Sequence, residues 1–192
     1  KGAKIFEGAL VTKITTAGGR VTGVDYETAE GPGHIQADVI VNCGGMWGRD
    51  LALQNGVTLP LHACEHFYLI TEPVAGLDPM TPVLRVPDEC AYYKQDAGKM
   101  MLGAFEPKAK PWGMEGIRKD FEFDTLPEDW DHFMPILEHA MHRMPLFQTA
   151  GIHTFFNGPE SFTPDDRYYL GEAPEVKGYW IAAGYNSIGI VS

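Results

Sequence analysis

The sequence predicts an α/β chain with an added antiparallel β region, and three stretches predict it. A short apolar run, Val39 to Val41 in "IQADVIVNCGG", ends at Gly44-Gly45 and leads into helix-compatible residues. That is the pattern of a fully buried strand in an α/β sheet. Four β-rich segments, "HACEHFYLIT", "PVLRV", "CAYYKQ" and "KMMLGAF", then follow with turn residues between them, the spacing of an antiparallel sheet. "KGYWIAAG" supplies a last apolar strand, and "YNSIGIVS" begins a turn and a helix.

The remaining elements follow in order. "ALVTKI" and "VTGVDYET" read as strands around the turn "AGGR", and "EGPGH" is a second turn. "MWGRDLALQNG" predicts a helix closed by Asn55-Gly56, and Pro60 ends that pattern. Residues 106–124 are rich in Pro, Gly and charge and read as loop. "TLPEDWDHFMPILEHAMHRM" is the clearest helix. Thr125 and Glu128 have capping-box spacing, and Trp130, Phe133, Met134, Leu137, Met141 and Met144 fall on one apolar face. Acidic residues at its start and His142 and Arg143 at its end suit the helix dipole, and Pro135 predicts a kink. "GIHTFF" is a strand. "NGPESFTPD" after it has no apolar periodicity and reads as a stiff polar turn, either a plain surface turn or a loop that meets a ligand.

Composition bounds the function. The 192 residues are 44% hydrophobic with a net charge of −11, which leaves no basic face for nucleic acid. No run approaches the ~20 apolar residues that span a bilayer, and no signal peptide is visible. Cys43, Cys64 and Cys90 form no CxxC or zinc pattern and read as buried thiols of a reducing compartment. The start at Lys1 and the end one turn into a helix predict an internal piece of a longer protein.

Chemistry is suggested at few places. "GYWIAAGYNSIG" is a strand-turn-helix whose small residues let backbone N–H groups approach a ligand; it also reads as an ordinary βα loop. "VNCGGMWGRD" is a second glycine-marked strand end, and no GxGxxG occurs. His139 and His142 have a ligand-like spacing but lie off the apolar face, so no metal site is predicted. His66 lies in an alternating strand, as a structural histidine or a functional one. Tyr92 and Tyr93 must point to opposite faces, Arg85 to either face, and Cys43 beside two glycines reads as a small buried filler.

Together "VIVNCGGMWGRD", "EHFYLITEP", "PVLRVPDECAYYKQ" and "NGPESFTPDDRYYLGEAPEVKGYWIAAGYNSIG" resemble the dimethylglycine/sarcosine dehydrogenase branch of the D-amino-acid-oxidase-like FAD-dependent oxidoreductases. Pyruvate dehydrogenase phosphatase regulatory subunits share the last string. The resemblance covers nearly the whole chain. It implies a partial, Rossmann-like FAD-binding domain in residues 1–61 and 158–192, with an inserted antiparallel substrate domain in 62–157. It also implies FAD, with its GxGxxG loop and attachment histidine upstream and a tetrahydrofolate-binding region downstream. "NGPESFTPD" then becomes the crossing back to the FAD domain, where Gly158 permits close approach and Pro159 and Pro164 add stiffness.

By the same resemblance Val11 matches an adenine-side contact, and Cys43, Gly44, Gly45 and Trp47 match the strand end beside ribose and pyrophosphate. Gly184, Tyr185, Asn186, Ser187 and Gly189 match the return loop near the flavin ring. His66 and Tyr92 match the substrate side as catalytic groups, with Arg85 as a substrate carboxylate partner. The implied reaction is oxidative demethylation of an N-methyl amino acid by hydride transfer to flavin, with His66 as acid/base group and Tyr92 orienting the substrate. A helix starting near Ser187 would stabilise reduced flavin. An electron-transfer flavoprotein is an implied partner, in a bacterial cytoplasm or a mitochondrial matrix. The alternative is a non-catalytic regulatory protein that keeps the FAD fold.

Overall fold

The computed structural model describes residues 2–189. In chain order it contains β1 (Leu10–Ala17), β2 (Arg20–Thr28), β3 (Gly31–Gln36), β4 (Ile40–Asn42) and helix α1 (Gly48–Leu53). Then come β5 (His62–Thr71), β6 (Leu84–Val86), β7 (Ala91–Asp96), β8 (Lys99–Ala104) and β9 (Lys110–Pro111). Helix α2 (Trp130–Arg143) precedes β10 (Ile152–Phe162), β11 (Tyr169–Glu172) and β12 (Tyr179–Ala183). The result is the mixed α/β and antiparallel architecture read from sequence. The chain divides into two compact units. One takes the stretch up to Ala63, Glu115–Ile117 and the stretch from Glu160; the other takes Cys64–Met114 and Arg118–Pro159. No helix among the described residues is long and apolar enough to cross a membrane.

The first unit holds two three-stranded sheets. Strands β1, β2 and β3 form an antiparallel meander. Its first turn uses Gly18 and Gly19, both left-handed at φ +56° and +75°, a conformation that glycine adopts without steric cost. The second sheet has the order β11-β12-β4, with β12 and β4 parallel and Ile181 opposite Asn42. Ile14, Val21, Val57, Leu61, Tyr179 and Ile181 meet in one core.

The fully buried strand predicted at Val39 to Val41 is corrected. Val39 and Val41 are 54% and 56% exposed. Among the described residues β4 pairs only with β12. Alternation therefore sends both valines to an uncovered face, while Ile40 and Asn42 turn inward. Asn42 is buried and fully used. Its Nδ2 donates to the Gly48 carbonyl and to the Tyr179 hydroxyl, each at 2.9 Å, and its Oδ1 accepts the Gly44 N–H at 3.0 Å. Helix α1 follows a 3-10 turn at Gly45–Trp47, and Gly56 beyond its end is left-handed at φ +69°, as Asn55-Gly56 predicts.

The second unit is built on a six-stranded sheet of order β10-β5-β8-β7-β6, with β9 also against β5; β5-β8, β8-β7, β7-β6 and β5-β9 pair antiparallel. Helix α2 packs Phe133, Ile136 and Ala140 into a cluster with Phe67, Leu69, Tyr93, Met100 and Leu102. Burying one such Phe or Leu contributes about 1.5–3 kcal/mol. The apolar face is centred nearer Ile136 than the sequence predicts, and Met134 is 37% exposed. The helix runs through Pro135 as one element.

Two further expectations change. The cap of α2 is Asp129, whose Oδ1 accepts the His132 N–H at 3.1 Å, and not Thr125. Leu126 precedes Pro127, which disfavours helical backbone there, and its N–H donates instead to the Asn157 carbonyl at 2.8 Å. "NGPESF" is not a turn but the second half of β10. Asn157 is 1% exposed because its Nδ2 donates to Glu65 Oε2 at 2.7 Å and to the Pro127 carbonyl at 2.8 Å. Pro159 is tolerated because β10 ends the strand order of its sheet.

The cap assignment is testable by urea denaturation. Asp129→Ala should lower stability by about 1 kcal/mol, whereas Thr125→Ala should leave it unchanged; the reverse result would return the cap to Thr125. Hydrogen bonding from Lys110, then from the His132 backbone, holds the Asp129 carboxyl below the usual aspartate range. Its contribution is therefore complete at neutral pH, and the penalty of Asp129→Ala should shrink as pH falls through that lowered value.

Candidate functional site

Strands β4 and β12 run parallel, side by side, and small residues follow each, Cys43-Gly44-Gly45 after β4 and Gly184 after β12. The crevice beyond the carboxyl ends of such strands is where α/β sheets bind ligands. A cleft of ≈ 370 Å³ lies there. Cys43 and Gly45 line it from the end of β4, and Gly184, Tyr185, Asn186, Ser187 and Gly189 from the end of β12. The sequence had singled out all seven, and the structure brings them together.

The loop after β12 is strained and tied down. Gly184 has φ +73°, and a Cβ there would overlap Thr163 Cγ2 and come within 3.1 Å of Leu61 Cδ1. Asn186 and Ser187 are both left-handed, at φ +48° and +67°, a conformation that costs a non-glycine residue about 1–2 kcal/mol. The Asn186 side chain offsets this locally. Its Oδ1 accepts the Thr163 N–H at 2.9 Å, and its Nδ2 donates to Thr163 Oγ1 at 3.2 Å and to the Gly184 carbonyl. Ser187 Oγ donates to Glu160 Oε2, and Ile188 N–H closes a turn onto the Tyr185 carbonyl at 3.0 Å. The helix expected to begin near Ser187 does not begin there, since Ser187 is left-handed and residues 187–189 form no helix; its continuation past Gly189 lies outside the described residues.

Three predicted cofactor residues do not line the cleft. Val11 sits on β1 opposite Tyr26, in the other sheet of the unit, and is 40% exposed. Gly44 serves packing, since a Cβ there would lie 3.0 Å from Asn42 Oδ1. Trp47 is 44% exposed in the 3-10 turn. Cys43 is exposed, not the buried filler its neighbours suggested, because alternation past buried Asn42 turns it to the cleft; Cys90 is half-buried, and only Cys64 is the buried thiol expected. Glu160 and Ser161, read from sequence as crossing residues, also line the cleft.

The second unit gathers His66, Tyr92 and Arg85 around a residue that sequence reasoning missed, Phe105. The Arg85 guanidinium carbon lies 4.2 Å from the centre of the Phe105 ring, a cation–π contact. The Tyr92 and His66 rings lie 5.6 and 6.3 Å from the same ring. Arg85 is opposite Tyr92 across β6 and β7, and Tyr92 is opposite Gly103 across β7 and β8. A Cβ on Gly103 would overlap the Tyr92 ring, so this glycine is what lets the ring lie across the sheet. Tyr93 points the other way and is buried, as alternation requires.

Glu106 was also missed. Its Oε2 lies 2.9 Å from His66 Nδ1, its Oε1 accepts the Phe67 N–H at 2.9 Å, and its side chain is 6% exposed. Burial first, and then the Glu106 charge, push the Cys64 thiol above its usual range. The signal for Phe105 was its i+2 relation to Gly103, readable only once the register of Tyr92 against Gly103 is known.

The DAO family profile, FAD dependent oxidoreductase, matches residues 1–192. The chain is 40% identical to the mitochondrial pyruvate dehydrogenase phosphatase regulatory subunit of Mus musculus over 98% of its length. It is 37% identical to the formaldehyde-forming 4-methylaminobutanoate oxidase of Paenarthrobacter nicotinovorans over 99%, and 35% identical to the mitochondrial sarcosine dehydrogenase of Mus musculus over 100%. It spans 21%, 22% and 21% of those three proteins, about a fifth of each. The crystal structure of L-proline dehydrogenase from P. horikoshii shares the fold, with a TM-score of 0.77 at 21% identity over 98% of this chain and 47% of that one.

The loop geometry makes Gly184→Ala costly. Left-handed backbone alone should remove about 1–2 kcal/mol, with the overlap on Thr163 adding to it. Gly171→Ala, where nothing lies within 4 Å of the added Cβ, should be neutral. Urea denaturation compares the two, and equal stabilities would mean that the end of β12 is not constrained as described.

Proposed function

The chain belongs to the DAO family of FAD-dependent oxidoreductases, and on that footing we propose that the protein containing it oxidises the N-methyl group of an N-methylated amino acid such as dimethylglycine or sarcosine. The observation that carries the reading is the grouping of His66, Tyr92 and Arg85 around Phe105. A zwitterionic N-methyl amino acid presents an ammonium group and a carboxylate. The group offers an imidazole for the proton, a phenol for orientation and a guanidinium for the carboxylate. Relatives named for sarcosine and 4-methylaminobutanoate support the same substrate class.

The family implies FAD, and the cleft at the ends of β4 and β12 fits part of it. Gly45 presents backbone alone to the cleft, with nothing within 4 Å of where its Cβ would stand. Asn186, Ser187 and the Glu160 carboxylate suit the N–H and hydroxyl groups of a flavin and its ribityl chain; near Glu160 they do not suit a diphosphate. When bound, FAD takes the hydride from the substrate carbon. On this reading residues 1–61 and 158–192 serve the cofactor, and 62–157 serve the substrate. His66 removes the ammonium proton, so that the nitrogen lone pair can support departure of the hydride. Tyr92 orients the amine, and Arg85 holds the carboxylate. An electron-transfer flavoprotein is the proposed electron acceptor, with oxygen as the alternative, and tetrahydrofolate would bind outside this chain.

A second reading has one observation in its favour, the 40% identity to a regulatory subunit. There the FAD fold is kept and no amine is turned over. Purified full-length protein separates the two: bleaching of its flavin by an N-methyl amino acid under anaerobic conditions supports the enzyme, and a yellow protein that none bleaches supports the regulator.

In single-turnover flavin reduction, His66→Ala should slow the limiting rate by about 10²–10⁴-fold. Arg85→Ala should weaken substrate binding by about tenfold or more. Wild-type behaviour of either variant removes that residue's role. Independently of turnover, alkylation of the FAD-free full-length protein should reach Cys43 before Cys64, and FAD should slow modification of Cys43 several-fold. Equal rates with and without FAD would put the cofactor elsewhere.

A further inference from the structure

We infer that Glu106 is a positioning residue that fixes His66 with its proton on Nδ1, so that Nε2 is the nitrogen that accepts the substrate's proton; this rests on the acid/base role proposed for His66. The geometry is specific. Glu106 Oε1 is committed as acceptor of the Phe67 N–H at 2.9 Å, and Oε2 meets His66 Nδ1 at 2.9 Å. His66 and Phe67 are successive residues of β5, so one carboxylate grips both the ring and the strand that carries it. The carboxylate is itself held in place. Glu106 precedes Pro107, which favours extended backbone at that position. Phe105 before it donates its N–H to the Cys90 carbonyl at 2.7 Å.

Stability alone does not account for this arrangement. A carboxylate whose side chain is 6% exposed loses hydration, and a buried ion pair roughly breaks even against a well-packed apolar pair. Tautomer selection does account for it, because the nitrogen that titrates on a histidine is set by the hydrogen bond its other nitrogen makes. In the proton step the ammonium N–H bond breaks and an Nε2–H bond forms. The Nδ1–H stays against Glu106, whose negative charge stabilises the imidazolium, and no electrons are transferred.

Glu106→Gln tests this in the full-length flavoprotein. The amide oxygen can keep the Phe67 N–H, but the amide NH₂ then faces Nδ1 as a donor and forces the proton onto Nε2. The limiting rate of flavin reduction by sarcosine or dimethylglycine should fall about 10²-fold, with substrate affinity and FAD content changing less than threefold. Glu106→Asp, which keeps a carboxylate, should recover part of the loss. In a His66→Ala background Glu106→Gln should cost nothing further, because the pair acts as a unit. A full-rate Glu106→Gln, an Asp variant as slow as the Gln variant, or additive losses in the double variant would each overturn the inference. A His66→Ala variant that reduces flavin at the wild-type rate would instead overturn the acid/base assignment beneath it.

Discussion

In the unit that holds the two three-stranded sheets, the constraint on which the rest depends is the burial of one amide, that of Asn42. Three hydrogen bonds use its donors and acceptor, and together they join the end of β4, the start of α1 and the hydroxyl of Tyr179 on β12. An amide buried with its partners removed costs several times what the satisfied group contributes. The surroundings are therefore fixed by it. Gly44 and Gly48 stay small because a Cβ on either would crowd Asn42 Oδ1, at 3.0 and 3.2 Å. Tyr179 is buried, and burial raises its phenol's pKa despite the bond from Asn42, so the bond is made to a neutral hydroxyl. With β4 and β12 thus locked in parallel, their ends open onto one cleft.

The other unit buries a second amide, Asn157, whose Nδ2 joins β10 to Glu65 on β5 and to the Pro127 carbonyl before α2, while its Oδ1 is left without a partner. There the buried amide stands in a strand interior that composition marks as a turn. Its partners lie 92 and 30 residues away in the chain.

That contrast explains what the sequence disclosed. The β-branched and aromatic segments became strands where predicted, Asn55-Gly56 closed α1, and Tyr92 and Tyr93 parted to opposite faces. Each of these rests on local backbone geometry. What was hidden rests on partners distant in sequence. Asp129 caps α2 because Leu126 is engaged by Asn157. "NGPESF" is a strand because Asn157 donates across the sheet. Phe105 and Glu106 join the candidate site because Tyr92 is paired with Gly103, a register that no local pattern encodes. Val39 and Val41 misled in the opposite direction: their apolar character is real, but among the described residues nothing covers their face.

Glu106 has one more effect. Cys64 and His66 are two apart on β5 and so share a face of the strand. In the proposed reaction, removal of hydride from an N-methyl amine would leave an iminium, a strong electrophile, and a thiolate beside it would be a ready trap. Burial and the Glu106 charge both oppose ionisation of Cys64, and a thiol is a far weaker nucleophile than a thiolate. If the proposed oxidation takes place beside His66, the same carboxylate that faces the imidazole would also keep Cys64 in its unreactive thiol form and so guard the chain against self-alkylation.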